Sequence, residues 1–215
     1  MRRFLCALVF SLVSPSATLA VPLTTAEIEQ LCGQAEDEAH CGRLMEEVQL
    51  KRLPGLAQRT GKTLVVSLYP SGNASFVDSD DAVAGRSYSL WDSIDSMNAV
   101  VLYTTQGDST FFTFLQRTNN RRIDLPNEPF ASPDRQRLLT VDFCESRCVN
   151  ELAVWRVTKD GARKELAWAP REAWSGASAS WKDADTIVVD YAIGDAHRTL
   201  ERKLSDPSWK RLPAT

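Results

Sequence analysis

The sequence predicts a mainly β chain, an antiparallel meander of repeated strand units introduced by a short helical N-terminal segment. Three observations carry this. From Lys62 onward, short apolar or alternating runs are bounded by Gly, Pro, Asn and Asp, the pattern of strands joined by tight turns. A short motif ending in Asp precedes three of these runs: Ser93-Ile94-Asp95, Ser132-Pro133-Asp134 and Trp181-Lys182-Asp183. Residues 24 to 53 instead carry a helix-start signal and a helical period, ended by Pro54-Gly55.

Taken in order, residues 1–20 read as a secretory signal. Arg2 and Arg3 form a basic start, Phe4 to Val13 an apolar stretch, and Thr18-Leu19-Ala20 a small-residue end. The apolar stretch is shorter than the roughly 20 residues a bilayer span needs, so the expected product is exported and not membrane-spanning. Without Arg2 and Arg3 the chain carries 23 basic and 28 acidic side chains, a formal charge of −5. That balance argues against nucleic acid as a partner.

Residues 21–60 are expected to form a disulfide-tied helical segment. Thr24 with Glu27 makes a capping box for a first helix, and Gly33 interrupts it. A second helix runs from Glu36 to about Leu53, with Leu44, Met45, Val48 and Leu50 inward. Its acidic residues, Glu36, Asp37, Glu38, Glu46 and Glu47, are expected outward as a solvated face. Four cysteines follow the leader: Cys32, Cys41, Cys144 and Cys148. An even count in an exported chain reads as two disulfides. The spacings, with only two histidines in the chain, do not fit zinc, so neither a metal nor a cofactor is expected. Local pairing, Cys32 with Cys41 and Cys144 with Cys148, is the expected connectivity. It requires a chain reversal after Gly33 and a tight loop at Glu145-Ser146-Arg147, because Cα atoms must come within about 7 Å.

Residues 61–215 are expected to form the β domain. Thr63 to Tyr69 and Ala74 to Val77 make a hairpin around Pro70-Ser71-Gly72-Asn73. Asp78-Ser79-Asp80-Asp81 lacks the Gly and Glu of a calcium loop and reads as a solvated turn. The apolar runs Ala99 to Tyr103, Leu138 to Phe143 and Ile187 to Tyr191 are expected to be equivalent buried strands. Phe111 to Leu115 and Arg122 to Leu125 follow the first; Leu152 to Val157 and Lys164 to Trp168 follow the second; Arg198 to Leu204 follows the third. The three Asp positions are 39 and 49 residues apart, and a period near 40 with three or four strands per unit is the signature of a propeller blade.

Pro129-Phe130-Ala131-Ser132-Pro133-Asp134 resembles the blade-start pattern of TolB-like and WD40-like propellers, in which an aromatic and Ser-Pro-Asp precede an inner strand. The resemblance implies blade-like repeats over about a hundred residues. It leaves an open sheet, a sandwich and a small propeller as the ways they assemble. The layout also resembles exported bacterial proteins of unknown function, which imply no activity.

The chemistry-bearing motifs are few. The sequence contains no G-x-S-x-G elbow, H-E-x-x-H, phosphate-binding glycine loop or S-x-x-K. Two surfaces stand out instead. Arg121, Arg122, Arg135 and Arg137 flank turns that would lie on adjacent strands, a cationic rim for an anionic envelope component or an acidic partner protein. Trp155, Trp168, Trp174 and Trp181 are expected to fill the β core, except Trp174, whose polar insert makes it a candidate binding residue. The expected function is therefore non-catalytic binding by a periplasmic or secreted protein. A hydrolase of envelope material with a site assembled in space is one alternative. A structural accessory docking through an apolar stripe along Ile28, Leu44 and Val48 is another.

Overall fold

The computed structural model describes residues 22–79, 81, 85–144, 148–172, 174 and 176–213; the expected leader and the Glu145–Arg147 loop lie outside them. Two helices come first, α1 (Thr25–Cys32) and α2 (Glu38–Arg52). Thr24 closes the expected capping box with Glu27. Asp37 caps α2 through the backbone N–H of His40, while His40 Nδ1 accepts from the Glu36 N–H. The Cys32–Cys41 disulfide joins the two helices and Cys144–Cys148 closes the second loop, the local pairing expected.

Among the described residues, fifteen strands then form four antiparallel sheets. Sheet I contains β1 (Ala57–Thr60), β2 (Thr63–Ser67) and β3 (Asn73–Val77). Sheet II contains β4 (Arg86–Ile94), β5 (Ala99–Gln106), β6 (Ser109–Gln116) and β7 (Arg121–Leu125). Sheet III contains β8 (Phe130–Ala131), β9 (Arg137–Asp142), β10 (Glu151–Thr158) and β11 (Gly161–Trp168), and β15 (Lys210–Arg211) adds to β11 from the end of the chain. Sheet IV contains β12 (Gly176–Trp181), β13 (Thr186–Ile193) and β14 (Ala196–Lys203). Within each sheet the strands follow chain order, β15 aside, and among the described residues they do not close into a barrel. Strand β1 begins four residues before the expected start of the β domain.

Alternation along the strands explains how the sheets succeed one another. In β5, Val100 and Leu102 pack toward Leu64, Val66 and Phe76 of sheet I, while Ala99 and Val101 pack toward Leu138 and Trp155 of sheet III. In β9, Leu138 faces sheet II, while Leu139 and Val141 face Ile187 and Val189 of sheet IV. Successive side chains point to opposite faces, so a strand sandwiched on both sides must be apolar throughout. That is why β5 and β9 read as continuous apolar runs, whereas β13, covered on one face, alternates Ile187, Val189 with exposed Asp190.

The strands following Asp95, Asp134 and Asp183 (β5, β9 and β13) are each the second of their sheet. The preceding turns share hydrogen bonds. Ser93 Oγ donates to Asp95 Oδ1 at 2.8 Å and Ser132 Oγ to Asp134 Oδ1 at 2.6 Å. Asp134 and Asp183 each accept from the N–H two residues ahead, Gln136 and Asp185. Short polar side chains that bond nearby backbone are the usual turn formers.

The second helix departs from expectation. Glu46 is 2 % exposed, not solvated. With Cys41, Gly42, Met45 and Gln49 it forms the buried face of α2, which lies along the open edge of β4. Side chains there replace a neighbouring strand. Tyr88 N–H donates to Asp78 Oδ1, Leu90 N–H to Glu46 Oε2, Arg43 and Arg59 donate to the Tyr88 carbonyl, and Gln49 Nε2 donates to the Trp91 carbonyl. Arg43, Glu46, Arg59 and Asp78 also pair with one another, so Asp78 belongs to this quartet and not to a solvated turn. An unpaired edge is a template for aggregation, and this one is covered. Ile28, Leu44 and Val48 are each half-buried.

Candidate functional site

The expected basic surface is split by the fold. Arg122 lies on β7 of sheet II, with its guanidinium 4.1 Å from the centre of the Phe76 ring in sheet I. Arg121 adjoins the turn at Gly161. Arg135 and Arg137 remain together in sheet III, where the register supplies two arginines the sequence reading did not single out. Arg156 of β10 stands directly opposite Arg137 on one side and Arg163 of β11 on the other. Three arginines therefore cross three adjacent strands in one row, on the face that packs toward sheet IV. Neighbouring strands are about 4.8 Å apart, so the outer two α-carbons are separated by about 10 Å.

The turn at one end fixes Arg137 and presents Arg135. Ser132, 2 % exposed, accepts the Arg137 N–H on its hydroxyl at 2.9 Å while donating to Asp134. Arg135 sits at the crest with φ 60°. Burial works against the charge of Asp134, but bonds from Ser132 and Gln136 and the charges of Arg137 and Arg156 together hold its carboxyl below the ordinary value. A bulge shapes the other side: Val154 pairs with Leu166 but Trp155 pairs with Lys164, which leaves Glu165 as the extra residue of β11. Bulges re-aim side chains, and Glu165 accepts from Arg137 Nε at 2.7 Å.

Both carboxylates thus engage Arg137, and among the described residues neither Arg156 nor Arg163 forms an ion pair. Like charges directly opposite on adjacent strands are destabilising. Here the pattern occurs twice in one row, and its neutralisation is incomplete.

Nothing matches this chain among family models, curated proteins or solved structures.

Trp174 goes into the core. It is 7 % exposed, its ring stacks on Tyr191 at 3.9 Å, and Phe143 and Trp168 pack around it. Trp174 lies between β11 and β12 in the chain and packs in the core between sheets III and IV. The same core holds Trp168, Trp181 and Trp209.

Other polar features have structural roles or lack a relay. His197 of β14 lies in a groove of about 430 Å³ with Ser178, Asp190 and Thr199. Asp190, however, accepts from Thr199 Oγ1 at 2.6 Å, and His197 stands opposite Ala192. Among the described residues no hydrogen bond links His197 to Ser178 or Asp190. A cavity of about 710 Å³ includes Asp37, Glu38, Asp81, Arg86 and Asp108. Glu38 there accepts from the Tyr103 hydroxyl. Asp92 and Glu128 are poorly solvated carboxyls near each other. Burial first, then the charge of Asp95, raises Asp92; burial first, then the charge of Asp92, raises Glu128.

Proposed function

We propose that this chain is a non-catalytic binding protein of the bacterial envelope, exported to the periplasm or secreted, with the row Arg137–Arg156–Arg163 as its ligand-facing surface. One observation carries the reading: three arginines stand directly opposite one another on adjacent strands, and among the described residues two of them form no ion pair. Such a row stores repulsion that an anion relieves. The overall negative formal charge confines attraction for polyanions to this patch. Two disulfides agree with an oxidising compartment.

The test is retention on immobilised dextran sulfate. Binding at low ionic strength is expected, weakening as salt shortens the screening length. R156E/R163E should abolish it, and R198E on sheet IV should leave it intact. Absence of retention at low ionic strength, or retention indifferent to R156E/R163E, rejects the surface.

A further inference from the structure

We infer that the arginine row takes a phosphomonoester dianion; this rests on the row being the ligand surface and adds the chemical class it selects. Arg135, Arg137, Arg156 and Arg163 bring four positive charges to one end of sheet III, and Asp134 and Glu165 bring two negative ones. Among these six side chains the positive charge in excess is two. A phosphomonoester above its second ionisation carries close to two negative charges and three equivalent acceptor oxygens, which matches both the charge and the number of guanidinium groups in the row. A carboxylate or a phosphodiester offers one charge and two free oxygens, enough for a single bidentate fork.

The internal carboxylates set the order of engagement. Arg137 is held from two sides, Nε by Glu165 at 2.7 Å and Nη1 by Asp134 at 3.3 Å. It forms the fixed end of the row. Arg156 and Arg163, half-buried and without ion pairs among the described residues, supply the free forks. Arginine's planar donors suit phosphate better than lysine's point charge.

The test uses the disulfide-bonded protein labelled with ¹⁵N, observed at its arginine Nε–Hε resonances. Glycerol 1-phosphate, dimethyl phosphate and acetate are titrated at constant ionic strength. Glycerol 1-phosphate is expected to shift the resonances that R156Q and R163Q remove. Each of those variants should weaken binding about tenfold, the scale of one charge-assisted hydrogen bond. Its affinity should rise about tenfold between pH 5 and pH 7.5, as the second ionisation near pH ~6 completes, while the diester shows no such rise. Vesicles distinguish the source. Sedimentation with phosphatidic acid but not phosphatidylglycerol assigns a lipid headgroup; binding of glycerol phosphate without vesicle binding assigns a soluble phosphate. Equal responses to all three anions, or pH-independent binding of the monoester, overturn the inference. If dextran sulfate retention depends on Arg156 and Arg163 but glycerol phosphate gives no response, the phosphomonoester class fails and the anion surface stands. If neither binds, both fall.

Discussion

Replacing Glu46 with Gln should be among the most damaging isosteric changes in this chain. Glu46 is 2 % exposed and takes the Leu90 N–H at 2.9 Å, Arg59 Nη2 at 3.1 Å and Arg59 Nε, with Arg43 Nη1 at 3.5 Å. The quartet is neutral as built, two guanidiniums against two carboxylates. The amide keeps the shape but removes one negative charge and turns an NH₂ group toward donors. Arg43 and Arg59, 26 % and 14 % exposed, are then left with Asp78 alone. Breaking a buried pair on one side costs about 3–5 kcal/mol, a large share of a typical total of about 5–15 kcal/mol. With a urea m-value of about 2–3 kcal/mol/M, the midpoint should fall by about 1–2 M with m unchanged. Urea unfolding of E46Q beside the parent, followed by tryptophan fluorescence, measures this. A midpoint within about 0.2 M of the parent, equivalent to about 0.5 kcal/mol at that slope, would refute the reasoning. It would mean that the edge of β4 is served as well by water as by the helix.

Four further outcomes are expected. A Cβ at Gly42 would lie 2.8 Å from Ser89 Oγ and 3.0 Å from Tyr103 Cδ1. Gly42→Ala should therefore cost about 1–3 kcal/mol from overpacking, despite a propensity gain of about 1 kcal/mol, and Ser89→Ala should recover part of the lost melting temperature. Asp92 and Glu128 have raised carboxyl values when folded, so the folded state binds their protons more tightly than the unfolded one. Their contribution is most favourable at acid pH and declines as pH rises from the unfolded carboxylate values through the folded ones. Asp92→Asn and Glu128→Gln should thus stabilise at pH 7 but not at pH 3, and denaturant midpoints at both pH values check the sign. Arg156→Gln removes two cross-strand repulsions and should raise stability by about 0.2–1 kcal/mol while anion binding falls; a stability loss would mean that Arg156 has a structural role. Non-reducing peptide mapping should find the two local disulfides, and Cys32→Ser with Cys41→Ser should cost about 2.5 kcal/mol, from the chain entropy of a loop of this length.

Sequence by itself determined the helix start at Thr24, the local cysteine pairs and most strands, because each depends on neighbours within a few residues. Four of the five illegible strands share a place in the fold; the fifth, β15, adds to the far edge of sheet III. Strands β1, β4, β8 and β12 are the first of their sheets, and none was legible from alternation. Ala57–Thr60 is polar, Gly176–Trp181 is built of small residues, and Phe130–Ala131 is too short for a period. In β4 the register shifts between Leu90 and Asp92, which breaks the alternation. The open edge of β4 is completed by Glu46, Asp78, Arg43, Arg59 and Gln49, residues from outside the strand. The same reason hid the burial of Glu46: its partners Arg59 and Leu90 lie 13 and 44 residues away, beyond any helical period. Only tertiary structure decided which arginines stand together. Arg121, Arg122, Arg135 and Arg137 are close in sequence, but β7 carries the first two into another sheet. Arg156 and Arg163 join Arg137 because strand register, which tight turns and the bulge at Glu165 set jointly, is a property of paired strands and not of any one of them. Trp174 went inward for a related reason: a ring in a polar insert has no periodic signal, and its position follows from the gap between sheets III and IV that it fills.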